Sequence, residues 1–218
     1  MNRRKREELI LISALKVLAR QGYAATCVAD IIDEAQVARG TFYLYFKSKQ
    51  DLFHALLDGF FTQINSEFTK ISADVFLNEI DPANNLRQQL TGIISTLTKN
   101  RLLAELIFKQ VHTLEADCQA KISLFLDQTT QVIESTIQAR VRSGEFRFVN
   151  AKSAARSIIG SVKEAVFHWL TREPFEFEQN LSGMIDFILA ALLPPLSTHA
   201  MAGEAQNANA RISVGNLH

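Results

Sequence analysis

The stretch from Thr26 to Leu52, TCVADIIDEAQVARGTFYLYFKSKQDL, constrains the fold more than any other part of this chain. Val28, Ile31, Ile32 and Ala35 recur at helical spacing, so one face of a short helix is apolar. Thr26 stands just ahead of that run, where its hydroxyl can accept from an orphan backbone N–H. Gln36, Val37 and Ala38 interrupt the pattern. A second helix then carries Phe42 and Phe46 on one side and leaves Arg39, Gly40, Thr41, Tyr43 and Tyr45 facing elsewhere. Two short helices joined by a tight turn form a helix-turn-helix, whose second helix is free to enter a DNA major groove.

The flanks extend the helical pattern. Ile10, Ala14, Val17 and Leu18 predict a supporting helix from about Glu7 to Gln21, ended by Gly22, behind a basic arm at residues 1–6. Ser48-Lys49-Gln50-Asp51 has the form of a capping box. It opens a long helix with an apolar stripe through Leu52, Phe53, Leu56, Leu57, Phe60, Ile64 and Phe68, the one feature of the sequence that joins two halves mechanically. Asn78 to Asn85 reads as a break. Helical patterns follow at about 85–98, 101–113, 116–142, 151–172 and 176–193, with Asn150 as a cap and prolines at 174, 194 and 195 as stops. With neither a strand pattern nor a repeat, the fold class is all-α. The expected domains are 1–52, basic arm and helix-turn-helix, and 53–196, a helical bundle. Residues 197–218, rich in Ala, Asn, Gly and Ser, are expected to be disordered.

Formal net charge is zero, but it is unevenly distributed. Residues 1–50 hold nine Lys/Arg against five Asp/Glu, a surplus of +4 that the rest of the chain cancels. A basic end on a neutral chain suits a DNA-facing domain joined to one that faces something else. Cys27 and Cys118 lie far apart, with neither metal-ligand nor redox spacing, and are read as reduced thiols. The basic run Arg3–Arg6 is followed by Glu7 and Glu8, and Lys16 interrupts the apolar stretch, which argues against a signal peptide. No apolar run approaches the ~20 residues that span a bilayer. The expectation is a cytoplasmic protein without membrane association, cofactor or metal.

Gly22-Tyr23, Thr26, Ala35, Val37, Gly40-Thr41-Phe42-Tyr43, Tyr45-Phe46, Ser48-Lys49 and Leu52 together resemble the N-terminal domain of the TetR (tetracycline-repressor) family, over roughly residues 5–65. Two positions depart from the family pattern. Gln36 stands where a turn glycine is common and must hold a left-handed conformation or a different turn; Ala38 cannot cap the second helix. The resemblance implies a ligand-responsive DNA-binding regulator, most simply a repressor released from a palindromic double-stranded operator when a small effector binds. It also implies a homodimer through the last two helices. Those helices mix small residues (Ala154, Ala155, Ser157, Gly160, Ser161, Gly183, Ala190, Ala191) with large apolar ones; an internal core is the plainer use of such surface.

Candidate DNA contacts are Thr26, Arg39, Gly40, Thr41, Tyr43, Tyr45 and Lys49. Arg39 can give guanine two parallel donors, Thr41 can meet a thymine methyl or phosphate, and Gly40 allows close approach. Lys49 suits a phosphate, as does Thr26 through its hydroxyl or the helix N-terminus behind it. Candidate effector residues are Phe108, His112, Phe125, Glu164, Phe167, His168 and Trp169, polar groups among large apolar ones, for an organic and partly hydrophobic effector. Core packing is the plainer account of each aromatic among them. The chain carries no nucleophile elbow, phosphate loop or metal motif, so an enzyme is not expected. A helical adaptor that binds other proteins is the alternative.

Overall fold

The computed structural model describes residues 3–75, 82–171 and 177–194, and every regular element within them is helical. The order is α1 (Arg3–Gln21), α2 (Val28–Ala35), α3 (Arg39–Tyr43), α4 (Lys49–Val75), α5 (Pro82–Lys99) and α6 (Arg101–Gln110). A 3-10 turn (Val111–Thr113) leads to α7 (Ala116–Ser143), α8 (Ala151–Thr171) and α9 (Phe177–Leu192). Several boundaries differ from expectation, among them the helix expected over 101–113, which ends at Gln110 before the 3-10 turn. The basic stretch Arg3–Arg6 is the first turn of α1 rather than an arm. α5 begins inside the expected break, at Pro82, because proline's missing N–H costs nothing in a first helical turn. The tail expected to be disordered, 197–218, lies outside the described residues.

Local chemistry sets the helix-turn-helix. α1 stops at Gly22, whose φ of +86° turns its N–H back onto the Leu18 carbonyl at 2.9 Å. The N-cap of α2 is Cys27, not Thr26. Asp30, at the third helical position, accepts the Cys27 N–H at 2.8 Å, and that bond holds its carboxyl below the usual range. Thr26 is turned inward instead and donates its hydroxyl to the Gly22 carbonyl at 2.7 Å. Gln36 does take the left-handed conformation, at φ +51° and ψ +44°. Its N–H reaches Asp33 O and the Val37 N–H reaches Ile32 O, the paired bonds that usually close a helix on glycine. Ala38 supplies no side-chain cap to α3. Ser48 Oγ accepts the Asp51 N–H at 3.0 Å, and Asp51 reaches back to Lys47 N–H at 2.8 Å, one residue beyond the expected box.

Ile10, Leu18, Tyr23, Ile31, Phe42, Phe46, Leu52, Phe53 and Phe60 are buried in one continuous core with Leu103, Leu106, Cys118, Val166 and Trp169. The helix-turn-helix therefore does not sit on a stalk. Its core runs on into α6, the start of α7 and the end of α8, and each fully buried large side chain there stabilises by about 1.5–3 kcal/mol. Polar links cross the same seam: Gln50 Nε2 to Asp117 at 3.2 Å and Lys121 Nζ to Asp58 at 2.7 Å. The long helix α4 is thus not the sole connection between the halves. A second core at the far end joins Leu90, Ile137, Phe146, Ala155 and Ile158 to Ile185, Ile188, Leu189 and Leu192 of α9. There the Arg147 N–H and guanidinium bind the last carbonyls of α9, at 2.9 Å from Leu192 O and 2.6 Å from Ala191 O.

Candidate DNA-binding face and effector cavity

α3 turns Phe42 wholly inward, and Phe46 follows it into the core. That anchoring leaves Arg39, Gly40 and Tyr43 on the outside, with Thr41 half-buried. The Arg39 guanidinium lies over the Tyr43 ring, 5.8 Å from its centroid, so the two side chains form one outward surface. A Cβ placed on Gly40 would meet nothing within 4 Å, so nothing inside the chain requires a glycine there. Tyr45 differs from Tyr43: it is half-buried against the core beside Phe46.

Two predicted phosphate contacts are engaged within the chain. Lys49 Nζ donates to Tyr23 O at 2.7 Å and to Thr26 O at 2.8 Å, and lies 4.3 Å from the Tyr23 ring centroid. Its ammonium ties α4 to the loop before α2 and keeps at most one donor for a phosphate. Thr26 is 3% exposed, and its hydroxyl is bonded to Gly22 O, so the expected hydroxyl–phosphate contact is withdrawn. Leu44, by contrast, is 76% exposed beside Tyr43. A leucine in an aromatic-rich stretch reads as core in sequence, so no pattern singles it out. Its exposure next to an apolar anchor is the signal that does.

The bundle holds a cavity of about 720 Å³ between α4, α5, α6, α7 and α8, within the ordinary range for ligand pockets. Phe60, Phe61, Ile64, Leu90, Ile93, Phe108, Ile122, Phe125 and Ile133 make its apolar walls. Phe61 and Phe125 stack at 3.9 Å between centroids. Thr129 and Thr136 also line it, but their hydroxyls donate to the Phe125 and Val132 carbonyls of their own helix, each at 2.8 Å. Arg140 lies over the Phe146 ring and 3.6 Å from Glu145. The exposed lining residues are Val132 and Thr136 on α7 and Gly160, Lys163, Glu164 and Phe167 on α8, which makes the α7–α8 side the open rim. Lining positions on α7 run from Ile122 to Arg140, about 27 Å of helix at 1.5 Å per residue.

Four of the seven sequence candidates line this cavity: Phe108, Phe125, Glu164 and Phe167. The other three do not. His112 is exposed on the 3-10 turn. His168 is exposed and pairs with Glu164 at 2.9 Å. Trp169 is 7% exposed in the core shared with the helix-turn-helix, with the Arg101 guanidinium 4.9 Å from its ring centroid. Among the described residues, no group of His, Cys, Asp or Glu could hold a metal ion, and no helix is long and apolar enough to cross a membrane.

Two family profiles match the chain. The first, bacterial regulatory proteins of the tetR family, covers residues 10–56; the second, the tetracyclin repressor-like C-terminal domain, covers residues 79–173. The chain belongs to the TetR family. It is therefore an all-helical, DNA-binding transcriptional regulator of a family that is not enzymatic. Among TetR relatives, the uncharacterized regulator YuxN of Bacillus subtilis is 31% identical over 98 residues, 45% of this chain but 32% of that protein. The fatty acid metabolism regulator protein of the same organism is 24% identical over 165 residues, 75% of this chain and 83% of that one. The crystal structure of Bacillus subtilis FadR in complex with stearoyl-CoA superposes with a TM-score of 0.69 at 22% identity, covering 84% of this chain and 98% of that chain. The TetR assignment makes the chain a DNA-binding regulator and leaves the DNA contacts and the effector to the chemistry of the α3 surface and the cavity.

Proposed function

We propose that the protein is a repressor that grips a two-fold symmetric operator as a homodimer and releases it when a long-chain acyl compound fills the cavity. Arg39, Gly40, Thr41, Tyr43 and Leu44 form the base-facing surface in this account. Leu44 adds an apolar contact of the kind that meets a thymine methyl. Tyr45 and the remaining donor of Lys49 serve the backbone. One helix-turn-helix reads few bases, so a second copy is needed to make a specific site.

The observation that carries the effector class is the inside of the cavity. Its walls are mainly aromatic and aliphatic, and the buried hydroxyl of Thr129 is already bonded to its own helix. A ligand made mainly of hydrocarbon meets few polar groups there, Gln89 and Arg140 among them, whereas a strongly polar ligand would lose most of its hydration without replacement. The length along α7 suits an extended chain rather than a compact ring system, and Lys163 at the rim suits an anionic head. The FadR relative was crystallised with stearoyl-CoA, which points to the same chemical class.

Release requires unequal affinity for two arrangements of the dimer. The test is a titration of operator DNA, selected from random duplexes, with and without saturating stearoyl-CoA. Operator affinity falls at least about fivefold if the cavity is regulatory. Identical affinity in the two conditions defeats the effector assignment.

A further inference from the structure

Resting on the reading of the cavity as a regulatory pocket, we propose that Gln110 is the positioning residue through which the cavity acts on the helix-turn-helix. Gln110 is the last residue of α6. Its Oε1 accepts the Tyr23 N–H at 3.1 Å, across the seam between the two halves. The same oxygen lies 3.2 Å from where a Cβ on Gly22 would stand, so the left-handed glycine that ends α1 also admits the glutamine. On the other side of the same short segment, Ile107, Phe108 and Val111 line the cavity. The five residues 107–111 thus touch both the effector space and the loop between α1 and α2.

Tyr23 distributes what Gln110 does. Its carbonyl accepts from Lys49 at the head of α4, and Lys49 also holds Thr26 O, next to the Cys27 cap of α2. Its ring packs edge-on against Phe53, 4.9 Å between centroids. A shift of the Gln110 amide is therefore felt at the start of α2 and the start of α4, the two ends that orient α3. The contact is a hydrogen bond to a backbone N–H in a part-buried position, and losing its acceptor leaves that N–H unpaired at a cost.

Directly after Gln110 the backbone leaves α-helical geometry for the 3-10 turn Val111–Thr113, the connector to α7. Beyond it, the Tyr23 hydroxyl is buried without a hydrogen-bond partner. Its burial, and then the neighbouring carboxylate of Glu115, the N-cap of α7, push the tyrosine pKa up.

The test is a double-mutant cycle in the full chain, read by amide hydrogen exchange over residues 22–31. Val111→Ala perturbs the segment from the cavity side. Gln110→Met keeps the side-chain shape and removes the acceptor; Gln110→Glu keeps an acceptor oxygen. Val111→Ala is expected to change exchange in this segment about fivefold or more in the wild-type and Gln110→Glu backgrounds, the low end of ordinary coupling, and to have no effect with Gln110→Met. An equal change in the Gln110→Met background, or none in any background, overturns the proposal. Failure of stearoyl-CoA to bind defeats the effector reading alone, because the cycle uses no effector.

Discussion

Gly40 is the residue where stability and DNA binding pull in opposite directions. It occupies the second position of α3, with open space where a side chain would stand. Alanine is worth about 0.5–1 kcal/mol more than glycine inside a helix. Gly40→Ala should therefore leave folding intact or slightly strengthen it in urea unfolding, while weakening binding to selected operator DNA by steric contact. A variant as tight as wild type on DNA would remove close backbone approach from the account. The same scale shows why residue roles divide unevenly in the sequence. Arg39 and Tyr43 are exposed because Phe42, fixed by spacing, points the other way. Thr26 and Lys49 carry side chains suited to phosphate, but the loop between α1 and α2 has carbonyls of its own to satisfy and uses them first. That competition depends on tertiary placement, which no local pattern records.

At the scale of elements, the helices were legible and their ends less so. Apolar spacing located all nine helices of the described residues, because burial of one face is a property of the local sequence. The caps depend on finer geometry. Cys27 is a poor cap by type, yet Asp30 serves its N–H, and this shifts the start of α2 by one residue from Thr26. Gln36 shows the turn chemistry being met at a cost. A non-glycine residue in left-handed conformation loses about 1–2 kcal/mol to crowding at Cβ, partly offset because glycine has more freedom to lose on folding. Gln36→Gly should raise stability by about 0.5–1 kcal/mol in chemical unfolding, with operator affinity unchanged. A loss of stability would mean that the glutamine side chain supports the turn in a way its backbone does not reveal. The cavity was only half legible for a related reason. Phe108 and Phe125 line it and Trp169 does not, but large apolar residues have the same spacing whether they face a void or a neighbour.

At the scale of the whole molecule, the last two helices divide their surface. Their large apolar residues Ile158, Ile185, Ile188, Leu189 and Leu192 are buried within the chain. Among its described residues α9 exposes Gly183, Phe187 and Ala190, at spacings of four and three, beside Ser182 and Asp186, with Phe187 69% exposed. We propose this strip as the centre of the dimer contact: small residues let two helices close on each other, and the phenylalanine supplies the anchor. Phe187→Glu should convert the dimer to a folded monomer in sedimentation analysis and reduce operator affinity. A monomeric wild type at every concentration would defeat the two-copy account.

The most direct test joins the α3 surface to that symmetry. Base preference at each operator position is measured by competition binding for wild type and Arg39→Ala, with helical content checked for both. The account predicts that Arg39→Ala stays folded and loses about 1–3 kcal/mol of discrimination at one base pair, and at its symmetry mate in the other half-site. Unchanged affinity and preference, or a loss confined to one half-site, contradicts it.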